Sequence, residues 1–184
     1  MSQPADPTTL AIDRLAEAEI GPDLSQQVQA LLQESFSGFP GRTYFKLPPH
    51  FRYLVPAGGE LAAQMGVELR MVRAGGTVLR TFGVSDLCVS RRVRSRGLGS
   101  RLLAAVTEYA SACGVDFIIL FADDDRLYTR SGFARAGNAC SWLKIHEHAM
   151  LGLATMQDTG ALMVKPTGQQ AWPDGELDLL GHLF

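Results

Sequence analysis

The sequence predicts an α/β fold, a mixed and mostly antiparallel sheet flanked by helices, and three observations predict it. β-rich segments punctuated by glycine pairs run from Phe51 to Val89. A single apolar helical stripe follows over Leu98–Cys113, and an almost wholly apolar run, Val115–Ala122, comes next. At 184 residues, 46% of them apolar and 20% charged, the chain has the size of one domain and enough apolar surface for a core.

Residues 1–8 hold two prolines and little that packs, so they read as a loose tail ahead of a single domain over 9–184. Ser25–Phe36 is expected to be an amphipathic helix, because Leu24, Val28, Leu31, Leu32 and Phe36 recur at helical spacing. Glycines and prolines make 37–49 a loop. Strands are expected at Phe51–Val55, Leu61–Arg73 and Thr77–Val89, with Gly58-Gly59 and Gly75-Gly76 as hairpin turns between them. The helix that follows carries Leu98, Leu102, Val106, Tyr109 and Cys113 on one stripe and stops near Gly114. Val115–Ala122 reads as a central strand covered on both faces. Asp123–Asp125 offers caps for a short helix over Arg126–Ser131. Ala139–Ile145 and Ala161–Val164 are the remaining predicted strands.

Charge and composition remove several functions. With 17 basic against 19 acidic residues and a net charge of −2, the chain lacks the basic excess of a general nucleic-acid binder. No apolar run approaches the ~20 residues of a membrane span. The first residues have neither a basic region nor an apolar stretch, so no signal peptide is expected. Cys88, Cys113 and Cys140 form no CxxC pair and read as reduced, buried thiols of a cytoplasmic protein.

The informative segment is Leu87-Cys88-Val89-Ser90-Arg91-Arg92-Val93-Arg94-Ser95-Arg96-Gly97-Leu98-Gly99-Ser100, where a strand ends, a glycine-bearing basic loop follows and a helix begins. Helix N-termini leave N–H groups unpaired and carry partial positive charge, so they hold anions. Gly97 and Gly99 let a phosphate approach the backbone, and Arg94 and Arg96 add fork-shaped donors. The segment lacks the Lys of a Walker loop and the third glycine of a dinucleotide fingerprint, where Leu102 stands instead.

Arg94-Ser95-Arg96-Gly97-Leu98-Gly99 resembles the R/Q-x-x-G-x-G/A signature of the GNAT superfamily of N-acetyltransferases. Arg126-Leu127-Tyr128-Thr129-Arg130-Ser131-Gly132-Phe133 resembles a second segment of that family. The resemblance implies a GNAT acyl-CoA N-acyltransferase fold. It also implies acetyl-CoA as co-substrate, a small-molecule primary amine as acceptor, and no metal. The pyrophosphate would lie on Arg94–Ser100, that is Arg94, Ser95, Arg96, Gly97, Leu98, Gly99 and Ser100. The pantetheine arm would pair with Leu87-Cys88-Val89 as an added strand. A backbone N–H near Leu87 or Cys88 would face the thioester carbonyl. Tyr128 occupies the place of the family's general acid, a phenol that stays protonated at neutral pH. The base is less direct: Ser85 stands where many relatives place Glu, Asp86 adjoins it, and strand alternation turns the two apart unless a bulge intervenes. Glu68, or a water held by Ser85, is the alternative.

The tail, Trp172-Pro173-Asp174-Gly175-Glu176-Leu177-Asp178, and Ala62-Ala63-Gln64-Met65-Gly66 resemble the nodulation N-acyltransferases, and the tail also the aminoglycoside 2′-N-acetyltransferases. This implies an amino-sugar acceptor. Asp174, Glu176 and Asp178 could attract a cationic amine, or form an acidic solvated tail. His146-Glu147-His148 reads as a solvated stretch rather than a metal site, and the cysteines lack partners that would make them nucleophiles. The expected partners include neither nucleic acid nor membrane, and a homodimer is compatible with the sequence. The rival functions are an acyl-CoA sensor without turnover and a transferase of longer acyl chains.

Overall fold

The computed structural model describes residues 10–184 apart from 159, so the expected loose tail lies outside the described residues. In chain order the elements are β1 (Asp13–Ala16), α1 (Pro22–Ser35), β2 (Phe51–Ala57), β3 (Glu60–Ala74), β4 (Thr77–Val89), α2 (Leu98–Ala112), β5 (Phe117–Phe121), α3 (Arg126–Arg130), β6 (Ala134–Arg135), β7 (Cys140–His146), β8 (Ala149–Met156), β9 (Leu162–Pro166) and β10 (Leu177–His182). A mixed sheet with few helices is the architecture expected. No described helix is long and apolar enough to cross a membrane. The chain divides into two compact units: the described residues up to Val67 with Ser85–Leu103, and Glu68–Val84 with Ala104–Phe184. β3, β4 and α2 each begin in one unit and end in the other.

In the first unit, β1 pairs antiparallel with β2, and β2 with β3, from Phe51↔Val67 to Ala57↔Glu60 across the Gly58-Gly59 turn. Helix α1 begins three residues earlier than expected because Pro22 occupies its first position, where a proline costs no hydrogen bond. Its buried face, Val28, Leu31 and Leu32, packs on Leu54, Leu61 and Cys88.

In the second unit the strands lie in the order β6-β9-β5-β4-β3-β10-β7-β8. β5 is parallel to β4 from Thr81↔Phe117 to Gly83↔Ile119 and antiparallel to β9. Its residues Phe117–Leu120 are buried, as its unbroken apolar run predicts. Helix α2 stops at a left-handed Gly114 (φ 64°), with Val115 N–H bonded to Ala110 O (3.0 Å) and Gly114 N–H to Ser111 O (3.3 Å). That is the glycine C-cap predicted there. Unpredicted strands are β1, β6, β8 and β10. β8 is exposed along nearly its whole length, so no period of two marks it. β10 corrects the picture of an acidic solvated tail: Leu177 and Leu179 are fully buried, between β3 and β7.

Candidate active site

The loop between β4 and α2 is held at both ends. Glu34 of α1 accepts the Arg91 N–H (2.7 Å), and Arg94 Nε donates to Val89 O (3.0 Å). At the other end Leu98 is buried, and Arg101 N–H bonds Gly97 O (3.0 Å). Between these anchors Ser95 (φ 61°) and Gly97 (φ 81°) adopt left-handed conformations, and a side chain at Gly97 would meet nothing within 4 Å. These two residues turn the backbone sharply on either side of Arg96, and the turn leads into the unpaired N–H groups at the head of α2, which favour an anion. The first turn of α2 holds no acidic residue to neutralise the helix terminus. Arg94, Ser95, Arg96, Gly97 and Ser100 are exposed, while Leu98 and Gly99 are buried. Beside the loop, Ala57, Ala62, Ser90, Arg92 and Arg96 line a pocket of about 320 Å³. The room above Gly97, the helix head without acidic residues and the exposed arginines fit a pyrophosphate.

The strand leading into this loop is irregular at the decisive place. A Cβ on Gly66 would lie 2.8 Å from Ser85 Oγ and 3.3 Å from Pro49, so Ser85 shares the face of Gly66. Gln64, two residues back on β3, has that same face, and its Nε2 lies 3.6 Å from Cys88 Sγ. Ser85 and Cys88 are therefore on one face although three residues apart, which a period of two forbids. The extra residue is Asp86, whose φ is 52°. The bulge that the Ser85–Asp86 question turned on is present. Cys88 is directed into the α1 core, and Leu87 and Val89 are half-buried.

The second unit contains Tyr128, on α3. Its ring meets Phe133 edge-on at 5.9 Å, and its backbone carbonyl accepts the Phe133 N–H (3.0 Å). Burial, and then the charge of Asp124, push its phenol pKa up, which keeps it protonated. Glu68 is buried, with Oε2 on Arg70 Nη2 (2.5 Å) and Oε1 on His182 Nε2 (3.2 Å). Burial alone would raise its pKa, but the His182 hydrogen bond and the Arg70 charge outweigh it and hold the carboxyl below its ordinary range. Both oxygens being engaged, Glu68 is a poor proton acceptor, which counts against it as the base.

Other predicted features have structural employment. Burial raises Cys88 and Cys140 to about 11, far from thiolates at neutral pH, while Cys113 is only half-buried, not buried as expected. Glu147 and His148 form the β7–β8 turn at φ 50° and 65°. Asp125 stands at the N-cap of α3 but makes no side-chain cap bond, contrary to expectation; Asp124 Oδ1 instead accepts the Arg126 N–H (3.1 Å) in a turn. Asp178 pairs with Arg73 (3.0 Å), and with Glu176 it lines an open pocket of about 450 Å³ at the Gly75-Gly76 turn. That turn precedes β4, whereas the glycine-bearing basic loop follows it. The sequence reading passed over Arg52, and over Gln64 except as part of a likeness. Both are fully buried, and the signal was there: an arginine and a glutamine inside apolar strand runs.

A glycine-bearing basic loop at a helix head, entered from a bulged strand, suits a phosphorylated ligand. The sequence profile of the acetyltransferase (GNAT) domain matches residues 19–136, well over half of the chain, which therefore belongs to the GNAT acetyltransferase family. No curated protein matches it. Among solved structures it is similar to the Escherichia coli GNAT family N-acetyltransferase YhbS in complex with CoA. The two are 18% identical with a TM-score of 0.63, over 97% of this chain and 93% of that one. It is also similar to a Brucella melitensis GNAT family acetyltransferase in complex with acetyl-CoA, with 12% identity, a TM-score of 0.57, and 91% and 94% covered. A GCN5-related N-acetyltransferase from Anabaena variabilis is longer: 71% of this chain spans 34% of it, at 15% identity and a TM-score of 0.53. At such identities the likeness is one of fold, and that fold is the GNAT acyltransferase fold.

Proposed function

We propose that the protein is an acetyl-CoA-dependent N-acetyltransferase acting on a primary amine of a small molecule. The observation that carries this reading is the left-handed Ser95–Gly97 turn, open above Gly97, at the head of a helix without first-turn acids. The YhbS and Brucella melitensis relatives were solved with CoA and acetyl-CoA respectively, which supports the same donor here.

In this reading the loop amides with Arg94 and Arg96 hold the pyrophosphate, and Leu87–Val89 takes the pantetheine arm along the backbone. Alignment supplies much of the acceleration, because a thioester is already activated. The amine nitrogen forms a bond to the acyl carbon, the C–S bond breaks, and the departing sulfur takes the phenolic proton of Tyr128. The amine proton passes to water held at Ser85, or to Asp86. A backbone N–H of the bulge steadies the charge developing on the carbonyl oxygen. An amino sugar is one candidate acceptor, resting on the likeness of Trp172–Asp178. Those residues are also used by the fold, so the likeness alone does not select it.

Isothermal calorimetry with acetyl-CoA, followed by free-thiol release across polyamines, amino sugars, amino acids and peptides, tests this. Binding with thiol release for at least one amine is expected. Absence of binding overturns the reading. Binding without any release makes the protein a sensor, and tighter binding of long-chain acyl-CoA changes the acyl group transferred.

A further inference from the structure

The first unit holds a buried polar chain that the acetyl-transfer reading does not by itself use. Arg52 is fully buried. Its Nε donates to Glu17 Oε2 (2.6 Å), and its Nη2 to Glu17 Oε1 (3.2 Å) and Thr43 O (2.6 Å). Its Nη1 donates to Gln64 Oε1 (2.9 Å). A guanidinium only donates, so Oε1 must be the amide oxygen of Gln64 and the orientation of that side chain is settled. Its Nε2 is then a donor, and it points at the carbonyl oxygen of Asp86 and at Cys88 Sγ.

This is the peptide that the bulge displaces. A left-handed aspartate is a strained conformation that persists only where its surroundings hold it. The bond from Gln64 to the Asp86 carbonyl supplies such a hold. The peptide between Asp86 and Leu87 is planar and trans, so its N–H points opposite to its C=O. Fixing the Asp86 carbonyl on Gln64 therefore fixes the Leu87 N–H in the direction away from Gln64. A buried arginine–glutamine pair in an otherwise apolar stretch is expensive compared with apolar side chains of the same volume. Clamping one peptide is a task that apolar side chains could not perform.

We propose that Gln64, oriented by Arg52, is a positioning residue that clamps the Asp86–Leu87 peptide so that the Leu87 N–H, rather than that of Cys88, stabilises charge on the acyl carbonyl oxygen. The proposal rests on the acetyl-transfer reading and narrows it to one atom.

The test is Gln64→Glu, which is isosteric and keeps an acceptor for Arg52 but replaces the donor to Asp86 with an oxygen. Loss of one such stabilising donor is expected to lower kcat for thiol release by about 10²–10³-fold. The Kd of CoA, which has no acyl carbonyl, is expected to stay within about threefold. The infrared C=O stretch of carbonyl-labelled acetyl-CoA should fall on binding to the wild type and return toward its free value in Gln64→Glu. Equal loss of CoA affinity and kcat would make Gln64 merely structural, and an unchanged carbonyl shift would remove it from the site; either result overturns the proposal. Should Gln64→Glu fail to fold, the wild type alone decides. Exchanging CoA for acetyl-CoA should move the Leu87 amide resonance most, and a larger movement at Cys88 overturns the assignment. Failure of the acetyl-transfer reading itself would look different, as a wild type that neither binds CoA nor releases thiol.

Discussion

Tyr128 is the residue on which the proposed proton transfer depends. Its phenol is raised above the ordinary 10.0 by burial and by Asp124, so it stays protonated, and able to donate, throughout the neutral range. Tyr128→Phe is expected to lower kcat by about 10²-fold or more, with little change in acetyl-CoA affinity. In the wild type no loss of kcat between pH 7 and about 9 should trace to this group, since an acid acts while protonated and fails only above its pKa. A Tyr128→Phe enzyme with wild-type kcat would assign the proton to water. Glu68 illustrates the opposite sign. Its folded pKa lies below the ordinary 4.5, so the stability it contributes is fully present above 4.5 and is lost as pH falls through the folded value. Urea titrations should therefore show stability dropping as pH falls below 4.5, less steeply in Glu68→Gln. Equal slopes in both proteins would mean that Glu68 contributes nothing to acid lability. Glu68, Arg52 and Gln64 share a history in the sequence: each is a polar residue within a strand run. Residue type and spacing say that such a group is buried, not everything it meets, because some of its partners come from other elements, as His182 does for Glu68 and Glu17 for Arg52.

At the scale of elements, what the sequence disclosed follows from periodicity and turn chemistry. Both glycine pairs close hairpins, α2 ends on Gly114, and β5 is buried as its apolar run demands. These signals are local. β10 was illegible because its cause is distant: it is covered by β3 and β7, and the segment ahead of it is moored by Asn138. That side chain, itself buried, donates to Pro173 O (3.1 Å) and Gly175 O (2.7 Å) and accepts from Trp172 Nε1 (2.7 Å). Trp172 in turn meets Phe117 edge-on at 5.0 Å. Asn138→Ala removes three hydrogen bonds at about 1 kcal/mol each, to partners that are half-buried or exposed, so a loss of about 2–3 kcal/mol is expected. Trp172→Phe, which keeps a ring against Phe117 and loses one bond, should cost about 1–2 kcal/mol. Chemical denaturation of both variants checks this, and equal costs would show that the Asn138 mooring of the segment adds nothing beyond the indole bond.

For the whole molecule, the two motifs placed it in its family, while the acceptor side was not legible. In its proposed role Arg94–Gly99 works through backbone amides at a helix head, so few residue types can fill it and the signature is legible in sequence. Ser85, in the place of the usual Glu, has no such uniqueness, and only the Asp86 bulge tells where its neighbours face. The loop's role has a consequence for the stability of the molecule as a whole. A ligand bound only by the folded state stabilises it by about 2.7 kcal/mol at a hundred times its Kd. For a chain of this size each kcal/mol shifts the melting temperature by about 2–4 °C, so acetyl-CoA should raise the wild-type Tm by about 5–10 °C. Gly97→Glu should abolish that rise. A side chain there enters the space left for phosphate and brings a negative charge to it, yet it touches nothing within 4 Å in the folded protein. The variant's own Tm should therefore fall by only a few degrees, reflecting the strain of a non-glycine residue at φ 81° at about 1 kcal/mol. Thermal unfolding of both proteins with and without acetyl-CoA separates the two effects. An equal ligand-induced rise in Gly97→Glu would show that the donor binds somewhere other than this loop.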